Sequence, residues 1–329
     1  MERELYLDKE ALRTFKIKRA IGNIFQYGFL ILMALFIVIP FYWMLISSVK
    51  ETWEIISPEL TLLPHNIETR KIAWPWDWAW ENYAKLIVGI PNTSGVGGEW
   101  TFRPMPFGWM FLNTIVVGLF TTIGMVFTVV LAAFAFSRLN FKGRDVLFTI
   151  MLATMMIPGE VFVITNYMTI SQWGWVRTDN HFHNYLALIL PFITSVFYTF
   201  FLRQTFKQIP NELYLAAKVD GTTDFKYLLR VMIPMAKATL TTIIILSMIG
   251  TWNAYIWPSF VTNAANRHHL LVSNGLIVGL AGAVESTGPN SILNLQMAAS
   301  TLVTVPLLIV FFVFKKHIMR GVSRSGIKG

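Results

Sequence analysis

The sequence contains no cysteine, and charged residues make up only 14% of its 329 positions. Without cysteine the chain can form no disulfide, no thiolate metal site and no cysteine nucleophile. Hydrophobic residues reach 54%, a share typical of a protein that crosses a bilayer several times. The net charge of +9 does not indicate a nucleic-acid partner, because the basic residues cluster at the ends of apolar runs.

Signals for catalysis are also scarce. No Gly-x-Ser-x-Gly elbow occurs, and the run GVSRSGIK, which begins at Gly321, lacks the Gly-Lys-Ser/Thr ending of a phosphate-binding loop. We therefore expect no catalytic residue, no bound cofactor and no ATP site on this chain. The pairs His181 with His183 and His268 with His269 have no partner ligands at metal-binding spacing, which favours solvated loop histidines over a metal site.

Six apolar stretches are each close to the ~20 residues that an α-helix needs to cross the bilayer core. They lie at 27–49, 110–136, 146–170, 184–202, 238–258 and 295–314. The first stretch is too long for a secretory signal, and no small-x-small cleavage site follows it. The sequence therefore predicts an all-α, polytopic membrane protein with six transmembrane helices.

Basic residues concentrate in alternate segments between these spans. The rich segments carry Arg3, Lys9, Arg13, Lys16, Lys18 and Arg19, then Arg138, Lys142 and Arg144, then Arg203, Lys207, Lys218, Lys226, Arg230 and Lys237, and finally Lys315, Lys316, Arg320, Arg324 and Lys328. Between spans three and four stands Arg177 alone, and between five and six Arg267 alone. The positive-inside rule then predicts that both termini and the segment after span four are cytoplasmic.

The segment 50–109 is expected on the opposite side of the membrane. It contains Trp74, Trp76, Trp78 and Trp80, which alternate along the chain. Alternate residues of an extended chain share one face, so these rings could form a strip for stacking on sugars. Tryptophan is also enriched at the membrane–water boundary, and this second interpretation is favoured.

The segment from Ile209 to Pro234, here called the signature loop, is too short to cross a bilayer and too apolar for a free loop. Pro210 suits the start of a helix, and Glu212 would lie near the positive end of its dipole. Gly221 follows Asp220 where a chain needs a left-handed residue to leave a helix. The pattern predicts a short helix that docks against another protein.

The signature loop resembles the cytoplasmic loop of binding-protein-dependent ABC importer permeases. That family's pattern is Glu-Ala-Ala, three residues, Gly, nine residues, Ile-x-Leu-Pro. The matching positions are Leu215, Ala216, Ala217, Gly221, Val231, Ile233 and Pro234. Leucine stands at 215 where the family has glutamate, so the family's charge contact with its ATPase does not carry over, and Glu212 one turn earlier is a candidate substitute.

Further stretches resemble the carbohydrate branch of this family, and in particular its second, maltose-permease-like subunit. They are AAFAFSRLNFKGRD (132–145), MMIPGEVFVITNY (155–167), TWNAYIWPSF (251–260) and RGVSRSGIKG (320–329). The resemblance implies a second homologous permease, two cytoplasmic ATPase subunits that bind the ATP, an extracytoplasmic solute-binding protein and a carbohydrate solute.

The resemblance and the charge pattern together predict five regions in an inner-membrane protein. They are a cytoplasmic segment at 1–26, a first transmembrane helix at 27–49, an extracytoplasmic loop at 50–109, a transmembrane core at 110–318 with the signature loop at 209–234, and a cytoplasmic tail at 319–329. The coupling residues carried over by the resemblance or proposed beside it are Glu212, Leu215, Ala216, Ala217, Asp220, Gly221 and Pro234.

Four residues are candidates for the solute pathway: Glu160, Asn166, Tyr167 and Asn253. Glu160 is the one acid well inside a span, where a lipid-facing carboxylate would cost about 3 kcal/mol. Such polar groups either line a wet route or form interhelical hydrogen bonds, and both interpretations stay open. A glycerol phosphate permease is the alternative within the family. A secondary transporter is less favoured because no internal repeat and few charged span residues are present.

Overall fold

The structure is a computed structural model that describes residues 9–91, 100–159, 161–281 and 292–323. Most of it is helical. The helices are α1 (Lys9–Ser47), α2 (Thr52–Ile56), α3 (Glu81–Val88), α4 (Phe107–Arg138), α5 (Arg144–Ala153), α6 (Val161–Gln172), α7 (His181–Ile189), α8 (Val196–Lys207), α9 (Asn211–Val219), α10 (Asp224–Tyr227), α11 (Ile233–Met235), α12 (Lys237–Trp252), α13 (Ile256–Val261), α14 (Val272–Ala281) and α15 (Leu293–Ser323). Strands β1 (Ile90–Pro91) and β2 (Trp100–Phe102) pair antiparallel, so the all-α prediction misses one small two-stranded sheet.

Three helices in the described residues are long and apolar enough to cross a membrane singly. They cover Thr14–Ser47 with 34 residues, Phe107–Arg138 with 32 and Leu293–Lys315 with 23. Three further pairs of shorter helices pass the same test together, each with a sharp bend between its members. Counting each bent pair as one span gives up to six spans by length and composition.

The predicted third, fourth and fifth spans are therefore not single helices. Near Pro158 the helical run gives way to a turn before α6 begins, because proline cannot continue the preceding hydrogen-bond ladder. Pro191 lies in a 3-10 turn, Leu190–Phe192, and the two halves of that span meet at 50°. The prediction of one helix over 238–258 is wrong, since α12 ends at Trp252.

The chain divides into two compact units. The first comprises Met1–Tyr83 and Glu285–Thr301. Within it Asn82 donates from its side-chain amide to the carbonyls of Ser48 and Lys50, both at 3.0 Å, and Asn294 donates to the Asn82 amide oxygen at 3.0 Å. These buried amides hold the end of α1, the start of α3 and α15 together.

The tryptophan-rich stretch of the first unit is not an extended strip. A 3-10 turn covers Pro75–Asp77, and the rings of Trp74 and Trp76 stack on each other with centroids 5.1 Å apart. The indole N–H of Trp80 donates to the Pro75 carbonyl at 2.7 Å. The rings of Trp78 and Trp80 form a second stacked pair, with centroids 6.1 Å apart, so the four rings lie in two stacked pairs.

The second unit comprises Ala84–Val284 and Leu302–Gly329. Its larger buried cluster lies at the C-terminal half of α4, where α8, α12 and the signature loop pack on one another. A second cluster lies further toward the start of α4 and includes Trp257 and Leu271. The signature loop is therefore part of the hydrophobic core of this unit rather than a free connection.

Candidate functional site

The candidate site is helix α9 with the turns at its two ends. Pro210 stands at the N-cap with ψ of 136°, outside the helix but directly before its first turn. A missing N–H is no loss at this point, because the first helical amides have no intrahelical partner. Glu212 lies in the first turn, where its carboxylate interacts favourably with the positive end of the helix dipole.

The end of α9 has the geometry that the sequence predicts. Gly221 has φ of 70°, in the left-handed region. Its N–H donates to the carbonyl of Lys218 at 3.1 Å, and the N–H of Thr222 donates to that of Ala217 at 2.8 Å. This pair of bonds is a Schellman motif, and a side chain with a Cβ would be strained at the glycine. The predicted helix exit after Asp220 is confirmed.

One face of α9 packs on the protein's own core. Tyr214 and Ala217 both contact the buried cluster, and the ring of Tyr214 lies 5.2 Å from that of Tyr227, centroid to centroid. Ala217 therefore packs against the interior of this chain. The sequence pattern predicts instead that Ala217, like Ala216, contacts another protein.

The opposite face of α9 is apolar and exposed. Leu215 and Val219 stand one turn apart, with 56% and 88% of their surface exposed. Ala216 and Glu212 lie beside them and are also exposed. A helix that presents two large apolar side chains to solvent, with one carboxylate at its rim, has the character of a docking surface.

A carboxylate joins α9 to the next helix. The Oδ1 atom of Asp224 accepts a hydrogen bond from the Tyr214 hydroxyl at 2.7 Å and lies 2.7 Å from the Nζ of Lys218. The hydrogen bonds from Lys218 and from Tyr214 lower the pKa of Asp224. Asp224 is thus ionised at neutral pH and fixes the start of α10 against the inner edge of α9.

Arg138, the last residue of α4, holds the approach to α9. Its Nη2 donates to the carbonyl of Phe206 at 2.8 Å and to that of Ile209, and its Nη1 lies 3.4 Å from the Asn211 side-chain oxygen. The guanidinium therefore caps carbonyls that would otherwise be orphaned at the end of α8. The sequence predicts Arg138 only as one of the basic residues on the cytoplasmic side, and gives no sign of these hydrogen bonds.

Arg203 of α8 bonds in the opposite direction, from α8 to the end of α4 and the start of α5. Its Nε donates to the Phe136 carbonyl at 3.0 Å, and its Nη2 lies 3.4 Å from Oδ1 of Asp145. The guanidinium carbon lies 3.6 Å from the centre of the Phe148 ring, a close cation–π contact. Together the two arginines tie the turn after α4 to α8 and so fix where α9 stands.

The end of the signature loop turns sharply into α12. Residues Leu228–Met232 form a π-helical turn, and the helical run Asp224–Met235 meets α12 at 80°. Pro234 lies in α11 and is exposed. A π turn followed by proline is a usual cause of a sharp bend, so α9 and α12 are joined by a bent connection.

The predicted solute-pathway residues do not form one group. Asn253 is exposed at the C-cap of α12, where its amide donates to the Ile249 carbonyl of its own helix at 2.9 Å. Asn166 and Tyr167 are half-buried on α6, and the Tyr167 ring packs edge-on against Phe260 with centroids 6.2 Å apart. Glu160 lies outside the described residues.

Of the four histidines predicted to be solvated loop residues, His181 and His268 are exposed, His183 is half-buried and His269 is buried. His269 is only 1% exposed, and its ring centroid lies 3.9 Å from that of His181. Burial, and then the neighbouring charge of His181, lower the pKa of His269. Within the described ranges no group of three histidine, cysteine or acidic side chains could hold a metal ion.

Comparisons with known proteins identify the family to which the chain belongs. Residues 124–324 match the family model described as "Binding-protein-dependent transport system inner membrane component". The chain belongs to this family. Its members are membrane components of transport systems rather than catalytic enzymes, and the matched region includes the whole signature loop.

Curated relatives extend the match to almost the entire chain. The sn-glycerol-3-phosphate transport system permease protein UgpE of Rhizobium meliloti is 28% identical over 309 residues, which cover 94% of this chain and 98% of the relative. The arabinooligosaccharides transport system permease protein AraQ of Bacillus subtilis is 28% identical over 302 residues, covering 92% and 94%.

A solved structure has the same fold. It is a bacterial ABC transporter involved in the import of the acidic polysaccharide alginate, and the match has a TM-score of 0.69 at 21% identity, covering 91% of this chain and 97% of the other. This chain therefore has the fold of an ABC importer permease.

Proposed function

We propose that this chain is a transmembrane permease subunit of an ATP-driven, binding-protein-dependent importer of a sugar or oligosaccharide. The observation that carries the proposal is the family's signature loop, folded as a capped helix with one face in the core and an exposed apolar face. The chain forms part of the solute pathway and transmits motion from a separate ATPase.

The coupling is proposed to run through α9. Leu215, Ala216 and Val219 seat in a groove of the ATPase, and Glu212 supplies a rim contact in place of the family's glutamate. Gly221 and Asp220 keep the helix end compact, and Pro234 preserves the bend toward α12. Movement of α9 is then passed to α4 and α8 through the buried cluster on which Ala217 packs.

The proposed assembly contains a second homologous permease, two cytoplasmic ATPase subunits that bind ATP, and an extracytoplasmic solute-binding protein. In it this chain crosses the inner membrane six times, each bent pair acting as one span, with both termini in the cytoplasm. The clustering of basic residues supports this orientation, since it puts the signature loop on the side where ATP is available.

The solute class is proposed from two kinds of observation. The branch resemblance and the relative named for arabinooligosaccharides favour a carbohydrate. The relatives named for sn-glycerol-3-phosphate keep that ester as the second candidate. Asn166, Tyr167 and Asn253, with Glu160, remain proposed pathway residues, and unchanged uptake at limiting solute in a Glu160→Gln variant would remove Glu160 from that group.

The experiment that tests the proposal is purification of the chain from its native membrane in mild detergent, followed by an ATPase assay. We expect recovery of a second permease and an ATP-binding subunit, with hydrolysis that depends on the solute-binding protein. Gly221→Val should abolish that stimulation, because a β-branched residue is strained at φ of 70°. Gly108→Ala is the matched control, since a Cβ there contacts no atom within 4 Å. Recovery of the chain alone would contradict the proposal.

A further inference from the structure

We propose that the second unit carries its own binding cavity for a neutral, polyhydroxyl solute, namely a short saccharide. The cavity has a volume of about 290 Å³ and lies between α4, α8, α12 and α13. Its polar lining includes Thr121, Ser195, Tyr198, Ser247 and Thr251. The inference rests on the proposed importer function and narrows its substrate class, and it concerns none of Asn166, Tyr167 or Asn253, which do not line this space.

Thr121 carries the strongest sign of a missing partner. The residue is 6% exposed, and its hydroxyl oxygen has no hydrogen-bond partner among the described residues. The lining threonine Thr251, by contrast, donates to the Ser247 carbonyl of its own helix at 3.2 Å. An unpaired buried hydroxyl costs about 1–3 kcal/mol, and a solute hydroxyl in the cavity would remove that cost.

The other hydroxyls retain hydrogen-bonding capacity. Ser195 accepts a bond from the Tyr198 backbone N–H at 3.3 Å, which leaves its own O–H as a donor. Ser247 shares one bond with the Thr122 hydroxyl at 2.9 Å. Because each hydroxyl offers one donor and two acceptor sites, the lining can bond several solute hydroxyls at once.

Aromatic rings supply the apolar part of the site. The indole N–H of Trp257 donates to the Ala187 carbonyl at 3.0 Å, which fixes the ring, and Phe192 meets it edge-on with centroids 6.0 Å apart. Both rings line the cavity. A pyranose or furanose has hydroxyls at its rim and C–H groups on its faces, so mixed hydroxyl and aromatic walls suit it.

The lining also excludes charged solutes. Among the described residues that line the cavity there is no Asp, Glu, Lys, Arg or His. A phosphate ester or carboxylate would lose its hydration there without gaining a counter-charge, which is costly. The volume is at the small end of the ~300–1,000 Å³ typical of ligand pockets, so the site holds one or two sugar rings.

The test exploits the absence of cysteine from the natural chain. Thr121→Cys and Ser247→Cys are introduced singly into the importer purified with its ATP-binding subunit, and each is labelled with a neutral, water-soluble methanethiosulfonate reagent. Ser171→Cys, exposed and outside the cavity, is the matched control. Labelling rates are measured with maltose, cellobiose, xylobiose or trehalose, with glycerol 3-phosphate, and with added phospholipid.

We expect both cavity cysteines to react, and at least one disaccharide to slow both reactions roughly tenfold, as when about nine-tenths of the sites are filled. The control should keep its rate, and glycerol 3-phosphate should protect neither position. Failure of every disaccharide to protect, equal protection by glycerol 3-phosphate, or protection only by added phospholipid would each overturn the inference. Failure to recover the ATP-binding subunit would instead count against the proposed function.

Discussion

Asp224 connects two helices of the signature loop through a single carboxylate oxygen. The hydrogen bonds from Lys218 and Tyr214 lower its pKa, so the folded loop holds the ionised form more strongly than the unfolded chain does. The carboxylate therefore contributes stability above the ordinary carboxyl pKa of about 3.9, and this contribution is lost as the pH falls through that range and below it.

We predict that Asp224→Asn loosens the loop at pH 7. Exposed ion pairs contribute little to stability, so backbone amides from Thr222 to Tyr227 should exchange hydrogen faster by local opening, by up to about fivefold. The measurement is hydrogen–deuterium exchange of the purified chain. Glu212→Gln, a charge removal on the exposed face of the same helix, should leave these amides unchanged, and an equal effect of both variants would argue against the clamp.

Single residues also show what the sequence could predict. The exit of α9 at Gly221 was predictable, because a local motif requires a left-handed residue there. The roles of Arg138 and Arg203 were not, since each bonds backbone carbonyls more than sixty positions away in the chain. The one available signal, a basic residue at the end of an apolar run, is shared by every charge that obeys the positive-inside rule.

At the scale of helices, the connection between α4 and the segment before α8 depends on a close approach. A Cβ placed on Gly124 would lie 2.9 Å from Cγ2 and 3.2 Å from Cβ of Ile193. The hydroxyl of Thr128 donates to the Ile193 carbonyl at 2.5 Å, so the backbone there is held as well. A β-branched side chain has few alternative rotamers, and the contact therefore has little room to adjust.

We predict that Gly124→Ala lowers the stability of the purified chain by about 1–3 kcal/mol, the usual cost of overpacking a core. The comparison is Gly108→Ala in the same helix, where a Cβ meets nothing within 4 Å and should be neutral or slightly stabilising. Thermal unfolding in one detergent provides the measurement. Equal melting temperatures for the two variants would show that α4 does not depend on this approach.

The existence of each span was more predictable than the positions of its bends and ends. Apolar length predicts a span, but it does not reveal where the span bends. The 3-10 turn at Pro191 follows from proline chemistry, whereas the end of α12 at Trp252 carries no such marker and involves an asparagine that bonds back to its own helix. Asn253 therefore seemed from its sequence position to lie inside a span and instead lies at a helix end.

At the scale of the whole molecule, the chain combines a docking helix and a hydroxyl-lined cavity within one unit. Both are attached to α4 and α8, with the buried cluster around Val129 and Phe206 between α9 and the rest of the unit. A displacement of α9 would therefore shift the packing of α4 and α8, which also line the cavity. This arrangement is what a permease needs if ATP hydrolysis elsewhere is to change access to a solute.

The central claim is that the exposed face of α9 contacts an ATPase, and a cross-link at Val219 tests it most directly. Because the natural chain has no cysteine, a Val219→Cys variant can be given a single benzophenone-maleimide label in native membranes, irradiated, and its adducts sequenced by mass spectrometry. Leu147→Cys, 52% exposed on α5, is the control. We predict that position 219 alone captures a protein containing the Gly-x-x-x-x-Gly-Lys-Ser/Thr motif. Capture of lipid only, or of the same proteins from both positions, would contradict the account.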